Sequence, residues 1–293
     1  MTGRRPSGVL FVLPALVLLV VFVFIPLLGV LGLSLTNFDL YSLANSANLH
    51  VIGAENYLHL LWDRRAWQAL AATLVVVAVG VPATLLLALI SALMIESIAE
   101  RWRGLFRTAL FVPVVCSTVA IAIGWRYLLN TRFGLLNHLL RLLGLGAPNW
   151  LGNPNLAIIA ITIVVVWKGF GYGMIIVAAA RKEIPEELYE AARIEGAGVR
   201  QRLLRITVPM LAPTLGLLAL LDVSGYWQLF AEPYVLTRGG PLGSTTSLLL
   251  LMYDRGFLWW RWGAASAIAV VLTAVMWMFA WAQRHARAGW RGE

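Results

Sequence analysis

Six stretches of this chain are long, apolar and almost free of charge, and they restrict the possible folds more than any other feature of the sequence. They run over about 9–35, 69–95, 108–129, 156–180, 206–231 and 262–283. Each reaches or approaches the roughly 20 residues that a helix needs to cross roughly 30 Å of hydrocarbon. Lipid offers the backbone no hydrogen bonds, so only helices and closed barrels can cross it. These runs are too long and too continuously apolar for barrel strands. Pro82 and Pro113 fall inside spans, which bundled membrane helices tolerate. The charge content agrees: 13% of the 293 residues are charged, about half of what a soluble domain carries. The expectation is an all-α integral membrane protein with six transmembrane helices and a single transmembrane domain over 1–293.

The first span follows Arg4 and Arg5, as the core of a secretory signal would. No charge then appears from Pro6 to Phe38, far beyond the roughly 7–15 residues of a signal's apolar region. It reads as an uncleaved span.

Arginine and lysine set the orientation. With six spans, both termini share a side with Arg101, Arg103, Arg107, Arg181, Lys182, Arg193, Arg200, Arg202 and Arg205. Together with Arg4, Arg5, Arg284, Arg287 and Arg291 they make fourteen basic residues. The opposite side holds eight: Arg64, Arg65, Arg126, Arg132, Arg141, Arg238, Arg255 and Arg261. The positive-inside rule places both termini in the cytoplasm. This asymmetry accounts for the net charge of +9 without nucleic-acid binding. Trp102, Trp150, Trp259, Trp260, Trp262 and Trp281 fall near span ends, as an interfacial belt does.

Several chemistries are excluded. A Walker A loop needs Gly-Lys before Ser or Thr. Lys168 and Lys182, the two lysines of the chain, follow Trp167 and Arg181. The single Cys116 allows no internal disulfide and no paired-cysteine metal site. His50, His59, His138 and His285 form no HExxH pair, and no GxSxG elbow occurs. No catalytic residue and no metal site is expected.

One polar stretch interrupts the apolar pattern: "EAARIEGAGVRQRLLRITVP", Glu190 to Pro209. Pro185 suits the first turn of a helix, and Glu186 and Glu187 complement its positive end. Gly196 and Gly198 offer a stop and a turn. A second short helix from about Val199 carries Arg200, Arg202 and Arg205 into the next span. Ala191, Ala192 and Gly196 are small enough for another protein's backbone to come close. From the residues alone, a solvated loop on lipid headgroups and a docking surface both remain open.

The same stretch resembles the EAA loop of binding-protein-dependent ABC importer permeases: Glu190-Ala191-Ala192, Gly196, Ile206 and Val208-Pro209 stand at the family's spacing. Val208 replaces the usual Leu, and Glu195 the usual Asp. "IPEELYEAA" (Ile184 to Ala192), "LFAEPYVLTRGGP" (Leu229 to Pro241) and "TTSLLLLMYDRGF" (Thr245 to Phe257) look like the carbohydrate-type branch, with its maltose and glycerol-3-phosphate permeases. The resemblance implies a type I importer permease fold with a cytoplasmic coupling loop at 182–205. Glu190, Ala191, Ala192, Glu195 and Gly196 would meet a cleft of an ABC ATPase dimer. The implied partners are that ATPase, a second homologous permease, an extracytoplasmic solute-binding protein and the lipid bilayer. ATP and Mg are used by the ATPase, and this chain binds no cofactor. The implied setting is a bacterial or archaeal cytoplasmic (inner) membrane, with alternating access as the mechanism.

A charge at mid-span points to the solute path. Lys168 sits in the middle of 156–180, where a lone Lys costs on the order of 2.5–3.5 kcal/mol, so it should face the bundle or water. Val165, Lys168, Gly169 and Tyr172 share one helical stripe, as do Asp222, Tyr226 and Leu229. Two readings stand: a polar cavity, or a structural Lys168–Asp222 ion pair, the latter also suiting a secondary transporter or channel. In the maltose-type permease, solute-contacting positions match Thr118, Gly169, Tyr172, Asp222, Tyr226 and Leu229. Gly169 and Tyr172 keep that relative's residue type, while Asp222, Tyr226 and Leu229 do not. Gln228 adds a hydroxyl-bonding group beside them, and Trp227 a further aromatic face. The implied solute is a sugar, oligosaccharide or polyol.

Overall fold

Helix ends in this chain are written in short local signals. Asn153 accepts hydrogen bonds from the backbone N–H groups of Asn155 (3.0 Å) and Leu156 (3.3 Å). Pro154 occupies the first turn, and Arg181 and Lys182 close the helix Pro154–Lys182 against its negative end. The structure is a computed structural model describing residues 7–289, with side chains described over 11–282. Arg4, Arg5 and Arg291, and the side chains of Arg284 and Arg287, lie outside the described residues. Among those residues, five helices are long and apolar enough to cross a membrane: Phe11–Ser34, Arg64–Ser97, Pro154–Lys182, Val199–Trp227 and Trp262–Ala282.

The third span departs from the single helix expected over 108–129. It is a pair, Glu100–Val115 and Thr118–Leu128, bent by 99°. Cys116 and Ser117 between them are extended (ψ 147° and 127°), which removes two links from the helical ladder and turns the chain. The fifth span also differs from the expected 206–231. Val199 starts a helix that runs without a break to Trp227. The chain then turns through Gln228 and Phe230 into a separate short helix, Ala231–Leu236. Prolines leave a mark as well. Pro26 and Pro209 have no N–H to return to the preceding turn. The helix just before each is widened to π turns, at Val20–Phe24 and Leu203–Thr207.

Contacts group the chain into two compact units. One takes residues through Ala66 with Leu251–Met278. In it Asn56 donates to the carbonyls of Ser34 (2.9 Å) and Thr36 (2.8 Å), tying down the end of the first span. The Gly263 N–H donates to the Phe38 carbonyl (2.9 Å). The most apolar stretch of the first span buries none of its residues.

The other unit takes Trp67–Leu250 with the residues from Phe279 onward, and it holds every candidate site residue. Its helices approach through small residues, as membrane helices do. A side chain at Gly171 would run into the carbonyl oxygen of Leu110 on Glu100–Val115. A Cβ at Gly173 would stand 3.0 Å from that of Ala88. Ala88, Ala92, Ile95, Met174, Val177, Leu211 and Leu218 fill the core between these helices.

Candidate functional site

Two regions of the larger unit carry the candidate residues. The first is the helix Glu186–Ile194, which lies outside the spans. Its buried face is Tyr189: the ring lies under Arg181 (4.3 Å), the hydroxyl meets Thr207 Oγ1 at 2.9 Å, and Ile184 packs into the same core. The helix is therefore pinned to the ends of the fourth and fifth spans. Gly196 ends it at φ +80°, a left-handed position where a side chain is strained. The Ala197 N–H reaches the Ala192 carbonyl (2.8 Å) and the Gly196 N–H the Arg193 carbonyl (3.0 Å), the double bond of a Schellman stop. The Gly198 N–H donates to the Gln201 side chain (3.0 Å), starting the next helix at Val199.

The opposite face is open. Glu190, Ala191 and Glu195 are exposed and Ala192 is half-buried. Glu190 lies 3.9 Å from Arg193, which also pairs with Glu186. Ile194, outside any membrane span, is 88% exposed, and Val199, the first residue of the fifth span's helix, is 75% exposed. Sequence reasoning singled out the small and charged residues here and missed this apolar pair. Apolar side chains that nothing in the chain covers are what an interaction surface exposes.

The second region surrounds the break in the third span. Thr118 opens the second half of that broken helix and is half-buried. Lys168 and Asp222 are half-buried, and Tyr172 is 46% exposed. Gln228 is exposed and donates to the Ser224 carbonyl (3.3 Å). Of the other three candidates, Tyr226 and Leu229 are buried and Gly169 is half-buried. Tyr226 is wedged against Gly80, and its hydroxyl meets Thr84 Oγ1 at 2.6 Å. Gly169 lies beside them: a Cβ there would stand 3.4 Å from the Tyr226 hydroxyl, an ordinary contact. Leu229 is buried, and its carbonyl accepts from Ser247.

Lys168 and Asp222 do not meet: among the described residues no ion pair joins them. The carboxylate under the influence of Lys168 is that of Glu232, beyond the end of the fifth span. Burial raises its proton affinity, and its own backbone N–H and the Lys168 charge pull it down. The reason is the turn after Trp227. The helix Ala231–Leu236 folds back against Thr118–Leu128 and Pro154–Lys182, bringing Glu232 toward Lys168. Glu232 is buried and stood inside a stretch quoted for its family likeness. An acid among Leu, Phe, Ala and Pro was the signal for it.

Half-buried polar groups beside a broken span, with an amphipathic helix held outside the bundle, define a membrane transport subunit. Residues 63–291 match the family described as "Binding-protein-dependent transport system inner membrane component". The chain belongs to this family of multi-pass inner-membrane permeases. It is 37% identical over 255 residues to the lactose transport system permease protein LacF of Rhizobium radiobacter, covering 86% of this chain and 83% of that protein. It is 34% identical over 264 residues to the trehalose/maltose transport system permease protein MalF of Thermococcus litoralis, covering 90% and 88%. In fold it is similar to a chain of a bacterial ABC transporter involved in the import of the acidic polysaccharide alginate. The TM-score is 0.80 at 23% identity, over 97% of this chain and 95% of that one.

Proposed function

We propose that this chain forms half of the translocation pathway of an ATP-driven importer for a sugar, oligosaccharide or polyol, working by alternating access. A second permease completes the pathway and an extracytoplasmic binding protein delivers the solute. An ABC ATPase dimer, using ATP and Mg, docks on the exposed face of Glu186–Ile194. The chain itself is non-catalytic. Both termini and this coupling helix face the cytoplasm, in keeping with the distribution of arginine and lysine. The solute class is supported by the sugars in the names of the two relatives and by the mixture of Lys168, Asp222, Tyr172 and Gln228 on the accessible side of the site.

One observation carries the coupling role: one face of Glu186–Ile194 is locked into the bundle through Tyr189, while Glu190, Ala191 and Ile194 stand free. A helix held on one side and bare on the other can pass displacement inward. ATP then biases a two-state bundle from one side and solute from the other. The test uses Ala191→Cys in a Cys116→Ser background, reconstituted with its ATPase and binding protein. A thiol cross-linker of short reach is expected to join the permease to the ATPase and to stop ATP-driven uptake, with reversal on reduction. Normal uptake with no cross-link formed in either nucleotide state overturns the assignment.

A further inference from the structure

The second and sixth spans begin beside a cationic cavity in the smaller unit. Its volume is about 490 Å3, and its walls include Asn56, Asp63, Arg65, Arg255, Trp259 and Arg261. Three guanidiniums thus face a single carboxylate. Asp63 pairs with Arg255 through one oxygen, and its other oxygen accepts the Arg65 backbone N–H at 2.9 Å. Asp39 also feels Arg261, but its Oδ1 is engaged by the N–H and hydroxyl of Ser42, both at 2.9 Å. Arg255 is only 9% exposed, and its Nε is buried without an acceptor. Burial makes its charge harder to keep; Asp63 opposes that, while Arg261 and Arg65 add to it. An unpaired buried donor within a like-charge cluster is costly, and an oxyanion would relieve both defects.

The position of the cavity indicates which oxyanion. Arg65 is the second residue of Arg64–Ser97, and Arg261 immediately precedes Trp262–Ala282. Both stand at the start of the two long apolar helices, the position that falls at headgroup depth when such helices cross a bilayer. Around them Trp62 (88% exposed), Phe257, Leu258 and Trp260 present bare apolar surface. That combination suits a molecule with a phosphate at one end and hydrocarbon at the other.

We propose that this cavity is a binding site for the phosphate of an anionic glycerophospholipid, with the arginines gripping the phosphodiester and the acyl chains lying along the aromatic rim. Guanidinium forks match phosphate geometry in pairs. The excess of positive charge favours phosphatidylglycerol over phosphatidylcholine.

The test is a lipid titration of the purified importer complex, delipidated in detergent and read by native mass spectrometry. The unmodified complex is expected to take up dioleoylphosphatidylglycerol at this site in preference to dioleoylphosphatidylcholine. In Arg65→Gln/Arg261→Gln the half-saturating concentration should rise by about tenfold or more, the effect of losing charge-assisted bonds. Arg255 and Asp63 stay in place, so the buried pair is kept. If that variant fails to assemble, Arg65→Lys/Arg261→Lys keeps the charge but loses the forks, and still should bind the lipid several-fold more weakly. Unchanged lipid affinity in whichever variant assembles overturns the proposal. So does equal thermal stabilisation by inorganic phosphate alone, which marks a site for a free anion. Unchanged lipid affinity with a raised requirement for the binding protein overturns it too, reassigning the cavity to a docking carboxylate.

Discussion

Lys168 was legible in the sequence as a charge out of place, but the acid whose proton affinity it lowers was not. A lysine inside an apolar run declares itself, because insertion is costly. Glu232 becomes its neighbour only because the chain turns after Trp227 and folds Ala231–Leu236 back against the bundle. No periodicity along either helix reports that turn. The two choices of partner make different predictions. Lys168→Met leaves Glu232 buried beside no cation, a loss of about 1–3 kcal/mol, read as a lower thermal midpoint of the complex in nanodiscs. Adding Glu232→Gln should recover most of that loss, whereas adding Asp222→Leu should not. Rescue by Asp222→Leu alone restores the pairing first drawn from the sequence. Tyr172 and Tyr226 divide the same way: both looked like solute-facing aromatics, yet Tyr226 spends its hydroxyl on Thr84 and only Tyr172 is open.

At the level of elements, the coupling helix was read almost entirely from local signals. Pro185, the paired glutamates and Gly196 each act within one turn, so spacing alone could place them. The 99° break in the third span is the contrast. Cys116 and Ser117 are neither glycine nor proline, and Pro113 lies within a continuous helical turn, so nothing local announces the bend. Gly196 gives a sharp test of what the helix faces. No atom lies within 4 Å of a Cβ built there, so the cost of a side chain within this chain is the strain of the left-handed backbone, and bulk beyond that tests for a partner. Gly196→Asn tolerates the left-handed backbone and is expected to keep transport near normal. Gly196→Trp is expected to leave the subunit folded and inserted while ATP hydrolysis no longer drives uptake. Equal transport in the two variants shows that no partner approaches this point.

For the whole molecule, the question is which way it faces. The count of basic residues gives an orientation, and exposure supplies the reporters. Ile194 and Leu242 are both 88% exposed, one on the coupling helix and one in the turn that follows the fifth span. With Cys116→Ser, a cysteine at Ile194 should react with a membrane-impermeant maleimide only in inside-out vesicles, and one at Leu242 only in intact cells or spheroplasts. The reverse pattern inverts the assignment of the termini. The uninterrupted helix from Val199 to Trp227 gives that orientation a mechanical meaning. Its 29 residues make a rod of roughly 43 Å at 1.5 Å per residue, held by Tyr189 at Thr207, its ninth residue. Pivoting the roughly 30 Å from Thr207 to Trp227 by only about 5° sweeps the far tip through nearly 3 Å, about the length of one hydrogen bond to a sugar hydroxyl. Under the proposed coupling, the stroke at the ATPase can therefore be small, with leverage supplying the rest.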